Sequence, residues 1–297
     1  MCKVLKKTFL VVGITGILSA GFVSCNNKAK EEEPEEKIDS TQSNFVKVEN
    51  AIFSIPSPYQ TASLIKKLGV TYNKDLCNQN KNLAQYSTNF KKGLNLGVYG
   101  ADLGYVAIYE QSQDALNYLK ASQKLASDLG IGSAFDSKTI DRIQKALGSK
   151  DSLLSISALA FRAGNNYLQT NERNDVAGLV VAGGFIESLH LTVSLANQFK
   201  TQELFNRIGE QKNSLDNLIK LLTPYYEQPE YTEFIDQLID LAYVFDAVET
   251  KYTFIPPTTD EQNKITVING KSEVIITEDQ LIQITQKVKN IRTQIVG

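Results

Sequence analysis

Four residues have the types and setting to do chemistry: Asp102, Arg162, Glu187 and His190. Asp102 is the one charge between Gly93 and Tyr109, and Arg162 is the one charge after Asp151 in the stretch to Gln169. Glu187 is the one formal charge from Val176 to Phe199, with His190 one helical turn beyond it. A helix that is apolar on every side belongs in the middle of a bundle. A charge on such a helix is costly unless it is paired or hydrogen-bonded. Asp102, Arg162 and Glu187 are therefore expected to meet inside the fold, the guanidinium fork bridging both carboxylates. Such a cluster could be the polar end of an apolar pocket, lined by Tyr99, Tyr105, Tyr109 and His190. It could equally be an ion network that moves no proton and only sets the register of three helices. The residue types alone weigh toward the network.

Glu187-Ser188-Leu189-His190 has the spacing that aims two ligands at one metal from a helix. Di-iron bundles need two such motifs, and this chain has a single histidine. A mononuclear site of Asp102, Glu187 and His190 is the most that these residues could build, and no metal is assigned. The chain carries no G-x-S-x-G elbow, no phosphate-cradling loop and no H-E-x-x-H. Cys77 lies in Lys74-Asp75-Leu76-Cys77-Asn78 without a histidine nearby, and reads as a helix residue rather than a nucleophile. No catalytic residue and no cofactor is assigned, and the reading leans away from an enzyme.

The elements that must position these groups are mostly helical. Helical spacing and stop signals predict helices over 58–68 (before Gly69), from Asn73 or Asp75 to Tyr86, over 89–110, and over 112–129 (before Gly130). Further helices are expected over 137–147, 151–169, 175–199, 201–222 and 230–250. Gly93, Gly97, Gly100 and Gly104 recur at steps of four, three and four, leaving a groove where another backbone can approach. Lys264–Ile268 and Glu273–Ile276 read as two strands of a hairpin spanning about 264–276, turned at Asn269-Gly270. Thr277 and Gln280 form a capping box for a last helix over 278–296. Its apolar seam is Leu281, Ile284, Val288, Ile291 and Ile295. The expectation is an all-α domain over 51–297, a multi-helix bundle with one small β-hairpin before the C-terminal helix. An irregular helical solenoid is the alternative.

The N-terminus has a different logic. Lys3, Lys6 and Lys7 precede an apolar run, Thr8–Val23, that is short for a membrane span, and Ser24 precedes Cys25. Phe22-Val23-Ser24-Cys25 resembles the lipobox of bacterial membrane lipoproteins, with Phe22 where leucine is usual. The lysines and glutamates that follow Cys25 resemble the post-cysteine segment that sends lipoproteins of the Bacteroidota to the outer membrane. The resemblance implies a signal peptide over 1–24, acylation of Cys25 by chains such as palmitate, and a place in the cell envelope, on the periplasmic or surface face. From 25 to 50 the chain is polar and aperiodic, as a disordered acidic tether would be. About 25 such residues reach about 25–30 Å.

Composition removes other classes. The formal net charge is −2, and no Lys/Arg block follows the tether, so nucleic acid is not expected as a partner. Once Cys2 is cleaved away and Cys25 acylated, Cys77 stands alone and the core must hold the fold without a disulfide. The reading is a lipid-anchored, non-catalytic adaptor or accessory subunit for a protein partner in the envelope. The alternative is a receptor for a small or lipidic ligand, with Asp102, Arg162 and Glu187 at the polar end of its pocket.

Overall fold

Thr88 starts the first long helix by accepting the backbone N–H of Lys91 on its hydroxyl at 3.2 Å, the capping expected of a threonine there. That helix belongs to a computed structural model that describes residues 44–48, 51–55, 58–134 and 173–297. The expected signal peptide and the expected helices over 137–147 and 151–169, with Arg162, lie outside the described residues. The described part is all-α in class. Its helices are α1 (Pro58–Lys67), α2 (Asn89–Ile108), α3 (Ser112–Asp128), α4 (Asn174–Phe199), α5 (Gln202–Gly209), α6 (Gln211–Leu222), α7 (Pro229–Asp246) and α8 (Glu278–Val296). Gly69 and Gly130, both at φ +75°, follow α1 and α3, the left-handed position that glycine takes without strain.

Helices α2 and α4 form the centre, and glycine lets their backbones touch. A methyl group on Gly97 would stand 1.9 Å from the carbonyl oxygen of Val180, and one on Gly183 would stand 1.8 Å from that of Leu94. Gly93 faces Leu179 in the same seam, whereas Gly100 faces open space. The expected glycine groove thus exists on the Gly93–Gly97 side and does not extend to Gly100. Helix α4 has the length and apolarity to cross a membrane, yet 89% of its apolar window is buried inside the fold. Its apolar side chains face the other helices.

Helix α8 docks as its seam predicts, with Leu281, Ile284, Val288, Ile291 and Ile295 all buried. Its capping box is complete: Gln280 N–H donates to the Thr277 hydroxyl at 3.2 Å, and Thr277 N–H donates to Gln280 Oε1 at 2.8 Å.

Three expected helices come out differently. The segment 73–86 is two short 3-10 turns, Lys74–Leu76 and Asn80–Gln85, because its polar backbone bonds to side chains of α2 instead of to itself. The expected helix over 201–222 breaks into α5 and α6. Gly209 at the break lies under Val274, whose Cγ2 would be 2.5 Å from an added methyl. The helix expected to reach 250 ends at Asp246, where the chain leaves for a strand.

Strands β1 (Asn44–Val48) and β2 (Ala51–Ile55) pair antiparallel, with Val48 opposite Ala51. β1 occupies the last part of the segment expected to be tether.

Four more strands precede α8: β3 (Glu249–Thr253), β4 (Thr258–Asp260), β5 (Ile265–Val267) and β6 (Lys271–Ile275). The two strands expected around Asn269-Gly270 are therefore present as β5 and β6, but they do not pair with each other. β4 pairs with β5, and β3 pairs with β6. The result is one long two-stranded arm, out along β3 and β4 and back along β5 and β6. Pro256-Pro257 lack N–H donors and interrupt the ladder between its halves. Asn269 sits in that gap, donating to the Pro256 carbonyl at 2.9 Å and the Thr258 hydroxyl at 2.6 Å. The true turn follows Asp260, whose Oδ1 accepts from the N–H groups of Gln262 and Asn263 at 3.0 and 3.1 Å. Lys264, at φ +55°, completes it.

Candidate functional site

Asp102 on α2 and Glu187 on α4 both have no exposed surface, and the close approach of those helices brings them together. The cation that meets them is Arg292 on α8. Its Nε donates to Glu187 Oε2 at 2.6 Å and its Nη2 to Glu187 Oε1 at 2.7 Å, a fork-to-fork pair. Nη2 also reaches the Leu76 carbonyl at 3.1 Å. Arg162, the cation expected between these carboxyls, lies outside the described residues; among the described residues, Arg292 pairs with Glu187. A signal for it was present in the sequence: Arg292 follows Val288 by four residues and Leu281 by eleven. It therefore stands on the apolar stripe of α8, where a cation requires a buried anion.

Asp102 Oδ2 accepts the backbone N–H of Asn78 at 3.0 Å. Its Oδ1 has no donor among the described residues, and Glu187 is close enough to act on its titration. Burial raises the Asp102 pKa well above its usual 3.8, the negative charge of Glu187 raises it further, and Arg292 opposes both. Two neighbouring buried carboxyls cannot both ionise cheaply, which favours the protonated form of Asp102. Burial alone would lower the Arg292 pKa, but Glu187 and then Asp102 more than reverse it, so the guanidinium stays charged. Among the described residues, the site brings one cation to two buried carboxyls.

Burial, then the charges of Asp102 and Glu187, push the Cys77 thiol far up, so it remains an inert thiol. Burial lowers the His190 pKa against the pull of Glu187. Since both Glu187 oxygens are taken by Arg292, Glu187 and His190 do not present a joint face to a metal. Asn78, nearly fully buried, donates through Nδ2 to the Tyr86 hydroxyl at 2.9 Å and to Asn95 Oδ1 at 3.2 Å. Asn95 in turn donates to the Ile295 carbonyl at 2.8 Å, tying α2 to the last turn of α8.

Tyr99, Tyr105 and Tyr109, expected as pocket lining, instead hold down the segment that covers α2. Tyr105 accepts the Asn73 N–H at 3.1 Å, Tyr109 donates to the Val70 carbonyl at 2.7 Å, and Tyr99 donates to that of Gln79 at 3.3 Å.

Among the described residues, two surface clefts are lined by neither Asp102, Glu187 nor Arg292. One, of about 470 Å³, lies between α2, α7 and the end of α8, with Phe90, Lys91, Glu230 and Gln294 on its walls. The other, of about 310 Å³, is lined by Lys74, Asp75, Gln79, Asp114 and Tyr118. The cluster cross-links α2, α4, α8 and the 73–86 segment. No family model, no curated protein and no solved structure matches this chain.

Proposed function

We propose that this chain is a lipid-anchored, non-catalytic protein of the cell envelope, held at the outer membrane through Cys25, that serves as adaptor or accessory subunit for a protein partner. The observation that carries this reading is the distribution of unused surface. The core charges are consumed by one another, whereas the β-arm projects with Phe254 68% and Ile268 79% exposed, beside exposed Ile265 and Val267. Large apolar side chains gathered on an extension mark an interaction surface more often than a solvent-facing one. The charged turn at Asp260, Glu261 and Lys264 disfavours insertion of the arm tip into a bilayer and favours a protein as the occupant.

Native mass spectrometry of the lipidated protein, gently extracted from its own membranes, tests the reading. A co-purifying protein at fixed stoichiometry is expected, lost in the Ile268→Asp variant. A bare chain carrying small-molecule mass would overturn the adaptor and support the ligand receptor. The anchor is checked separately: Cys25→Ala removes acyl labelling, and unchanged labelling refutes it.

A further inference from the structure

The two edges of the β-arm are not alike at its base. On the β6 side, Val274 N–H donates to Asn206 Oδ1 and its carbonyl accepts from Gln202 Nε2, both at 2.8 Å. Helix α5 therefore caps that edge with side chains. Because both main-chain groups of Val274 point away from β3, the residue opposite it, Thr250, must turn its own N–H and carbonyl away from β6. Tyr252, two residues on, does the same. They lie on the outer edge of β3, which has no second strand neighbour among the described residues.

An open edge is a template for strand addition, and a lysine on it normally blocks that addition. Lys251 is such a lysine, and Glu249 stands two residues before it on the same face, both exposed. We propose that β3 pairs antiparallel with β3 of a second copy of this chain about a two-fold axis at Thr250. That register makes Thr250 a hydrogen-bonded pair with itself and sets Glu249 opposite Lys251 of the second copy, twice. Sliding one step, to an axis at Lys251, sets the two lysines against each other and removes both ion pairs. An axis at Tyr252 leaves Lys251 opposite Thr253 with no counter-charge. In the register centred on Thr250, Tyr252, 58% exposed, meets Val248 of the second copy, and the arms join in the sheet order β6–β3–β3–β6. Isologous pairing of this kind closes after two copies, so the edge is used up rather than left to propagate. The inference is independent of the adaptor reading, which concerns the outer half of the arm.

The test is the mass of the full lipidated chain in mild detergent, read by sedimentation or native mass spectrometry over a range of protein concentrations. A dimer is expected for the unaltered chain. Thr250→Pro removes the outward N–H without removing a β3–β6 ladder bond, so it should give a monomer with unchanged helical circular dichroism and melting. Glu249→Lys and Lys251→Glu should each weaken the dimer, and the double exchange should restore it, since it rebuilds both ion pairs in reverse. A monomer at every concentration, or a dimer indifferent to Thr250→Pro and to the charge exchanges, would overturn the proposal. Loss of helical signal in Thr250→Pro would leave the charge-exchange cycle as the deciding measurement. The outcomes separate from those of the adaptor reading, because Ile268→Asp leaves β3 untouched.

Discussion

The polar core and the β-arm handle unsatisfied groups in opposite ways. In the core, Asp102 and Glu187 are cut off from water, and the mostly buried Arg292 pairs with Glu187. In the arm, the side chains are exposed along β3, β4 and β5 and along β6 except at Val274. The core spends its chemistry on holding four segments together. The arm contributes little to that and keeps its apolar side chains and one backbone edge available. Ionisable residues in an apolar setting are often taken as a sign of function; here the less conspicuous strand segment carries exposed apolar side chains.

The comparison breaks first if the core tolerates losing a charge. Arg292→Ala leaves Glu187 buried without its partner and should cost about 3–5 kcal/mol in urea unfolding. Replacing both members, Glu187→Leu with Arg292→Met, should recover most of that loss, as buried ion pairs often exchange for apolar ones. A near-neutral Arg292→Ala would mean that the cluster is hydrated and not structural.

The glycine seam gives the next effect. Gly97→Ala drives a methyl into the Val180 carbonyl and should destabilise by about 1–3 kcal/mol. Gly100→Ala, which meets nothing within 4 Å, should stabilise α2 by up to about 1 kcal/mol. Equal effects in thermal melts would place the helix contact elsewhere.

The raised Asp102 pKa predicts a pH dependence of definite sign. The folded pKa of Asp102 lies above its usual 3.8, so the folded chain binds more protons than the unfolded chain in the window between the two values. Stability contributed by this group is full below about pH 3.8 and falls as pH rises through that window, at up to about 1.4 kcal/mol per pH unit. Asp102→Asn keeps an acceptor for Asn78 without a titrating proton. It should flatten this part of the stability profile, measured by urea titration across the pH range. An unaltered slope would show that Asp102 is ionised in the fold.

The smallest stability effect belongs to the arm. Phe254→Ser and Ile268→Asp should shift stability by no more than about 0.5 kcal/mol, as exposed substitutions do, while abolishing partner binding. A large loss of stability from either would show that the arm is part of the core after all.

The legible parts of the fold were those set by local spacing. Gly69 and Gly130 mark helix ends, Thr277 and Gln280 mark a helix start, and the α8 seam marks the buried face. The candidate site was half legible. Asp102 and Glu187 stood out as single charges on apolar helices, but Arg292 was masked by Lys287 and Lys289 on the same helix, which gave it the look of a surface residue. The strand positions were legible and their pairing was not. Asn269-Gly270 has the local chemistry of a tight turn, and only the gap opposite Pro256-Pro257 reassigned it.

The sequence by itself determined the class of the fold, most helix limits and the burial of two lone carboxyls, because propensity, capping and desolvation act within a few residues. Which cation would answer those carboxyls was decided by tertiary structure, since Glu187 and Arg292 meet across 105 residues of chain. The same holds for the strand partners and for the edge left open at Thr250. Each depends on which surfaces the packed helices had already occupied.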